Sequence, residues 1–341
     1  MDLNIPPPDT GSGLRGIEPE LFASLLKHAG EVFGLGEGLL VHDYHAHRGL
    51  YALATRHPPG TLIAGTKDNE AIDVGYWAFG GGTSLASAHG LVNRYSEDID
   101  IALIAPSTIG RTPLDRARRN LARVAADAIT GSDRTRQDTS SAGTIATILA
   151  NPEGPADPVR IDVSPQQPVP NIIQTLPVVS LLGRVADSRI TRAHPELGGF
   201  EVPTLCVPVT AANKFDALHR LATQQRHDLV RGRGRDLYDL ACIALSPTHA
   251  AAAHARIPAL AALAGSVRRG RPVPRPVDGY ANSPVFAEGS EAHLALRQGY
   301  DDTSNMIWGD TAPSFEEAVE AARSLDNTGS AARLTPHTEL G

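Results

Sequence analysis

The segment FGGGTSLASAHGLVNRYSEDIDIALI, Phe79 to Ile104, restricts the fold of this chain more than any other stretch. Near its end Asp98 and Asp100 alternate with Ile99 and Ile101. Side chains of an extended segment alternate between two faces, so the spacing predicts a strand with two carboxylates on one side and two isoleucines turned into the protein. Two such acids repel each other unless a divalent cation lies between their oxygens, and hard oxygen ligands suit Mg²⁺ or Mn²⁺. Upstream, VGYWAFGG reads as an aromatic strand ended by glycine, and TSLASAHGL as a short helix capped by Thr83 or Ser84. Gly81 and Gly82 let the backbone approach a polyphosphate, and the helix N-terminus with the Thr83 and Ser84 hydroxyls offers it donors. Glycines followed by a DxD strand therefore predict a nucleoside triphosphate and metal site.

A third acid completes the pattern. In PVRIDVS, Asp162 stands between Ile161 and Val163, where strand propensity gives no reason for an aspartate. A strand beside the DxD strand would bring it to the same metals; exposure on an edge strand is the alternative. Two ions held by three carboxylates can activate an attacking hydroxyl and neutralise the pyrophosphate leaving in an in-line displacement.

Around this core, EPELFASLLKHAGEVFG and GLLVHDYHAHRGLYALATRH carry helical periodicity, as does TPLDRARRNLARVAADAIT, while GTIATILA, VRIDVS and EVPTLCVPV read as strands. Beyond them the chain is largely helical: AANKFDALHRLATQQ capped by Thr210, RDLYDLACIAL, THAAAAHARIPALAALAG, GSEAHLALRQGYDD, and SFEEAVEAARSLD. The last opens with Ser314 and Glu317 at capping-box spacing. The expected organisation is a flexible leader over 1–16, an α/β core over 17–200 and a mainly helical region over 201–341. A net charge of −7 excludes a surface that attracts phosphate everywhere, so any nucleic-acid contact is local. No apolar run is long enough to span a bilayer, and MDLNIPPPDTGSG has neither a basic region nor an apolar signal core. The expectation is a cytoplasmic protein without a membrane partner. Cys206 and Cys242 read as buried small hydrophobes.

GGGTSLASAHGLVNRYSEDIDIAL resembles the GGT-x-L…GL-x-R-x-S-x-D-(I/L)-D signature of the AbiEii/AbiGii toxin family of nucleotidyltransferases, the MenT-type toxins of toxin–antitoxin systems included. NKFDALHRLATQQRHDLVRGRGRDLYDLACIAL is similar to that family's K…AL…R…RDLYDL segment. VHDYHAHRGLYAL is similar to its (E/K)-D-Y-(W/H) helix, and YDDTSNMIWGDTAPSFEEAV to its C-terminal helical region. The resemblance implies an α/β (α+β) fold: a polymerase-β-like nucleotidyltransferase core with a mixed sheet, N-terminal helices and a helical C-terminal region. It implies transfer of a nucleotide from an NTP to a hydroxyl acceptor, the 3′ end of tRNA, with Mg²⁺ or Mn²⁺ and release of pyrophosphate. Translation would be blocked, and a cognate antitoxin protein would be the partner. Carried over residue by residue, Asp98, Asp100 and Asp162 bind metal and Gly81, Gly82 and Thr83 hold the triphosphate, with Ser84 and Ser96 beside it. Lys214 contacts the nucleotide phosphates, and Asp236 is the essential acid of RDLYDL.

Other readings stay open. The acceptor can be a small molecule or a protein side chain, and a nucleotide-binding module acting through a partner needs no catalysis. Lys214, Arg235, Asp236 and Asp239 fit an interhelical ion-pair network as well as phosphate contact. Two arginine-rich runs, Arg111 to Arg123 and Arg226 to Asp236, are solvated faces or phosphate contacts. In the second, Arg231, Arg233 and Arg235 are expected on a loop facing the second substrate. His42, Asp43, His45 and His47 cluster in HDYHAH without a further converging ligand for zinc. Asp43 and Tyr44 are expected to line or brace the site, and His89 to pack or face solvent. Ser96 is a candidate regulatory position, because a phosphoryl group there adds roughly −1.5 to −2 charges where metal and triphosphate enter.

Overall fold

The computed structural model describes residues 13–67, 70–130, 136–138, 146–152, 157–267, 273–309 and 312–326. The chain forms two compact units, one from the chain up to Cys206 with a returning segment at 306–309, the other from most of the chain after it. Residues 1–12 of the expected leader lie outside the described residues, and Gly13–Ile17 forms a helical turn, α1.

In the first unit α1 is followed by α2 (Pro19–Phe33) and α3 (Glu37–Arg56). α2 opens on a proline, whose missing N–H matters least in a first turn. It ends at Gly34, whose left-handed backbone returns its N–H to the Gly30 carbonyl. Its buried stripe of Phe22, Leu25, Leu26 and Ala29 packs with Leu40, Tyr44, Leu181 and Leu182 in a small core of its own. Then come β1 (Ile63–Lys67), β2 (Glu70–Gly80), α4 (Gly81–Ser87), β3 (Asp98–Ile104), α5 (Arg111–Thr130), β4 (Arg136–Asp138) and β5 (Ala146–Ala150). β6 (Val159–Gln166), β7 (Ile173–Val179), α6 (Leu181–Val185), α7 (Ser188–Ala193) and β8 (Gly198–Leu205) complete the unit. The strands build one mixed sheet in the order β4-β5-β6-β3-β2-β8-β7, with β1 also paired to β2. β2 is antiparallel to β3 and parallel to β8, and β3 is parallel to β6.

Burial sets the register of this sheet. Ile99, Ile101, Ile161 and Val163 are fully buried in a core shared with Leu50 and Leu53 of α3 and Leu121, Ala125 and Ile129 of α5. Gly49 brings α3 close: a Cβ there would meet Ile129 Cδ1 at 3.0 Å and Ile99 Cδ1 at 3.2 Å. Each buried isoleucine contributes about 1.5–3 kcal/mol, and slipping a strand by one residue would exchange isoleucines for aspartates.

Several expectations are corrected here. α4 starts at Gly81 with Gly80 as N-cap and no side-chain cap, so neither Thr83 nor Ser84 caps it. Residues 143–145 of the strand expected in GTIATILA lie outside the described residues. β7 had no signal in the sequence: Gln174, Thr175 and Pro177 are exposed along an edge, where a proline is tolerated and alternation is lost. Cys206 is buried just past β8.

The second unit is helical: α8 (Val207–Thr223), α9 (His227–Arg231), α10 (Gly234–Leu245), α11 (Pro247–Val267), α12 (Glu291–Asp302) and α13 (Phe315–Ser324). α8 begins three residues before Thr210, which therefore lies inside it and caps nothing; its buried hydroxyl has no hydrogen-bond partner. α13 carries the expected capping box between Ser314 and Glu317. Cys242 is half-buried on α10. The core centres on Phe215, stacked on Tyr280 at 5.2 Å between ring centroids. No helix among the described residues is long and apolar enough to cross a membrane.

Candidate active site

Asp100 and Asp162 are register partners on the parallel strands β3 and β6, and Asp98 lies two residues before Asp100 on the same face. All three are half-buried, on the side of the sheet opposite the buried isoleucines. β6 runs between β3 and β5, so Asp162 is not on an edge. Its Oδ1 accepts from Thr147 Oγ1 at 2.6 Å and its Oδ2 from Arg160 Nη2 at 2.8 Å. Burial works to lower the pKa of Arg160, but Asp162, Asp98 and Asp100 outweigh it and hold the guanidinium above its ordinary value. The three acids thus act on one cation as a single negative field.

The glycine turn is shaped to one of these acids. Gly80 pairs with Asp100 across β2 and β3. Gly81 has φ 67°, and a Cβ on it would overlap Asp100 Oδ2. Thr83 Oγ1 donates to the Asp98 carbonyl at 2.5 Å, and Ser84 Oγ to the Gly81 carbonyl at 2.9 Å. The Thr83 hydroxyl therefore ties the turn to β3, and the Ser84 hydroxyl closes the turn on itself. Among the described residues, no three His, Cys, Asp or Glu side chains stand converged as a metal-binding group. The donor chemistry of Asp98, Asp100 and Asp162 is that of a hard cation site. A carboxylate has about four lone-pair sites, so Thr147 and Arg160 use only part of what Asp162 offers.

Thr83 and Ser96 line a pocket with Asp43, Arg94, Arg184 and Trp308, all within the first unit. Arg94 is buried, with Nη1 donating to the Tyr95 carbonyl at 2.8 Å. Arg184 Nη2 donates to the Ala86 carbonyl at 2.6 Å and so holds the last turn of α4. Trp308 arrives on the returning segment, which is bonded to the strand-like stretch at Asn93 to Tyr95. Sequence reasoning missed Arg184 and Trp308, because each comes from a part of the chain without local chemical signal.

The histidine cluster of α3 is a buried polar layer. Asp43 Oδ2 accepts from the Leu181 N–H at 2.7 Å, at the start of α6, and its backbone carbonyl accepts from His47 Nδ1 at 2.8 Å. His42 donates to the Pro158 carbonyl at 3.3 Å. Burial lowers the pKa of His42. Burial, reinforced by Arg48 and Arg15, lowers that of His45 to about 3. Tyr44 packs on Phe22 in the small core, at 4.9 Å between ring centroids. His89 donates to the Leu205 carbonyl at 2.9 Å.

In the second unit Lys214 Nζ meets Asp236 Oδ1 at 2.5 Å and Asp239 Oδ2 at 2.8 Å. Both acids project from one face of α10, and all three residues are buried. The segment Arg226 to Arg235 is not the loop expected from its glycines. α9 and α10 fill most of it, and a Cβ on Gly234 would overlap the backbone of Gly299 on α12. The glycine serves close helix packing. Arg231 pairs with Asp302 at 2.9 Å and Arg233 with Asp236 at 3.3 Å, both arginines exposed.

A family model described as nucleotidyl transferase AbiEii toxin, type IV TA system, matches residues 69–321. Among solved structures, MenT4, a nucleotidyltransferase toxin from Mycobacterium tuberculosis H37Rv, is similar at 17% identity, covering 88% of this chain and 93% of that one, with a TM-score of 0.39. JHP933 from Helicobacter pylori is similar at 12% identity, covering 79% of this chain and 94% of that one, with a TM-score of 0.32. No curated protein matches the chain.

Proposed function

Because the chain belongs to the AbiEii nucleotidyltransferase toxin family of type IV toxin–antitoxin systems, we propose that it moves a nucleotidyl group from an NTP to the 3′-hydroxyl of tRNA. Its setting is the cytoplasm, where both substrates and an antitoxin partner are found. The observation that carries this reading is the register of β3 and β6, which sets Asp100 beside Asp162 with Asp98 on the same face. These three acids are the residues that would hold Mg²⁺ or Mn²⁺. When bound, the cations supply activation of the attacking hydroxyl and neutralise the leaving pyrophosphate.

The remaining roles belong to the chain itself. Gly81, without a Cβ, leaves Asp100 in place at the turn, and Gly81 and Gly82 are the residues whose backbone N–H groups would meet the phosphates. Thr83 acts by holding that turn to β3, and Ser84 by closing it onto Gly81. Lys214 is the cation assigned to the nucleotide phosphates, oriented by Asp236 and Asp239. Arg231 and Arg233 keep exposed side chains, and the Arg231 pair with Asp302, exposed on both sides, is weak in water, so an RNA phosphate can replace that acid. Arg235, next to Asp236, is a third candidate contact. Ser96 is half-exposed beside Asp98, and its phosphorylation would close the site by repulsion. Mass spectrometry of protein co-expressed with its antitoxin tests that; a Ser96→Ala variant silenced as fully as wild type would refute it.

The deciding experiment incubates purified protein with Mg²⁺, total tRNA and each α-labelled NTP, alongside Asp98→Ala. Label on tRNA with wild type and none with the variant is the expected result. Label on an aminoglycoside or on protein, with none on RNA, would replace tRNA as the acceptor. Equal labelling by Asp98→Ala would remove the acids from the chemistry.

A further inference from the structure

The acid face of the sheet carries a cation of its own. Register sets Arg160 of β6 across from Asp98 of β3, two residues before Asp162 meets Asp100. Side chains two apart on a strand share a face, so one guanidinium and three carboxylates stand on the same side of the two strands. Asp162 is held at both of its oxygens: Oδ2 accepts from Arg160 Nη2 at 2.8 Å, and Oδ1 from Thr147 Oγ1 at 2.6 Å. Thr147 reaches it from the other neighbouring strand, where it is the register partner of Asp162 on β5.

The two holders differ in what they do to an approaching cation. Thr147 is 9% exposed, on a strand paired along both edges, and its hydroxyl is neutral. It fixes the direction of the carboxylate without opposing positive charge. Arg160 has a side chain 49% exposed, and its charge interacts with Asp98 and Asp100 as well as with Asp162. A guanidinium on Asp162 Oδ2 offsets the mutual repulsion of the acids, and by the same Coulomb law it repels a divalent cation that comes to them. Solvent weakens a half-exposed pair, so Arg160 can yield its oxygen and turn outward.

We propose that Arg160 competes with the divalent cation for Asp162 Oδ2 and so sets how tightly the acids take it, while Thr147 aims the carboxylate through Oδ1. Both are positioning residues that act through Asp162. The inference rests on the assignment of Asp98, Asp100 and Asp162 to a hard cation in the reading above.

The test titrates Mn²⁺ into the full chain without nucleotide and follows the unbound ion by its EPR signal. Binding in excess of that to Asp98→Ala is counted as the acid site. Arg160→Gln keeps a donor for Asp162 but removes the charge, and should take Mn²⁺ about tenfold more tightly than wild type. Arg160→Lys keeps the charge and should stay within about threefold of wild type. Arg119→Gln removes an exposed charge from α5, on the isoleucine side of the sheet, and should leave the affinity unchanged. Thr147→Val should bind about tenfold more weakly, the usual cost of losing a group that orients a metal ligand, and Thr147→Ser should recover the loss. The opposite signs separate the proposal from a merely structural role, in which both changes would weaken binding. If Thr147→Val loses its fold, the Arg160 variants still decide the competition. Arg160→Gln binding no more tightly than wild type, or no more tightly than Arg119→Gln, overturns the proposal even when wild type labels tRNA normally. The expected shifts in Mn²⁺ affinity, with no label on RNA from any NTP, support the proposal and remove the tRNA reading instead.

Discussion

Replacing Gly81 by alanine tests the link between backbone shape and the acid cluster. The residue sits at φ 67°, and an alanine held in that left-handed region costs about 1–2 kcal/mol. The larger effect is local: the added Cβ would overlap Asp100 Oδ2, and the strands on both sides prevent the turn from moving away. The carboxylate must shift by about 1 Å, a displacement that can cost about 100-fold in rate when it falls on a reacting group. Gly80→Ala is the matched control. Its Cβ meets Leu205 Cδ1 at 2.9 Å, the movable end of an apolar side chain, with no acid oxygen beside it. Urea denaturation and transfer of label from NTP are measured for both variants. Gly81→Ala is expected to lose about 1–2 kcal/mol of stability and about 100-fold in kcat, and Gly80→Ala to keep kcat within about threefold. Full activity in Gly81→Ala would refute the reasoning, because the Asp100 position could not then matter to the chemistry.

Three further outcomes follow from the same geometry. Lys214→Met removes the buried ammonium that Asp236 and Asp239 share and should lower unfolding free energy by about 3–5 kcal/mol, so its activity must be read beside its denaturation curve; an unchanged urea midpoint refutes the network. His45 stays neutral in the folded protein down to about pH 3 but takes up a proton near 6.5 when unfolded, so stability is complete above pH 6.5 and is lost as pH falls toward 3. His45→Gln should flatten that fall in a series of urea midpoints, and an unchanged slope between pH 6.5 and 4 would count against it. Gly234→Ala pushes α10 from α12 and should cost about 1–3 kcal/mol, whereas Gly232→Ala, with only ordinary contact at 3.5 Å, stays within about 0.5 kcal/mol; equal effects would show that the close approach is not needed.

Much of the fold was legible because its signals are local. Pro19 and Gly34 delimit α2, Ser314 and Glu317 open α13, and the isoleucines of β3 alternate with its aspartates. Where the reading failed, a contact distant in sequence had overridden a local preference. Thr83 and Ser84 looked like caps, but their hydroxyls bind carbonyls of β3 and of the glycine turn. The glycines of RGRGRD looked like a loop, but Gly234 is small because α12 presses on it. Pro177 hid β7, whose pairing needs only one side.

Periodicity and residue chemistry alone determined that this chain makes a mixed α/β core with acids opposite a buried apolar face. They also marked the glycine turn before the DxD strand and the shared face of Asp236 and Asp239, since each of these follows from the pitch of a strand or helix. Tertiary structure decided the rest. It set Asp162 opposite Asp100, gave Lys214 two carboxylates, and brought Trp308 back to Asn93, more than two hundred residues earlier in the chain. No local propensity encodes such meetings, because they arise only when burial of separate apolar faces brings distant segments into register.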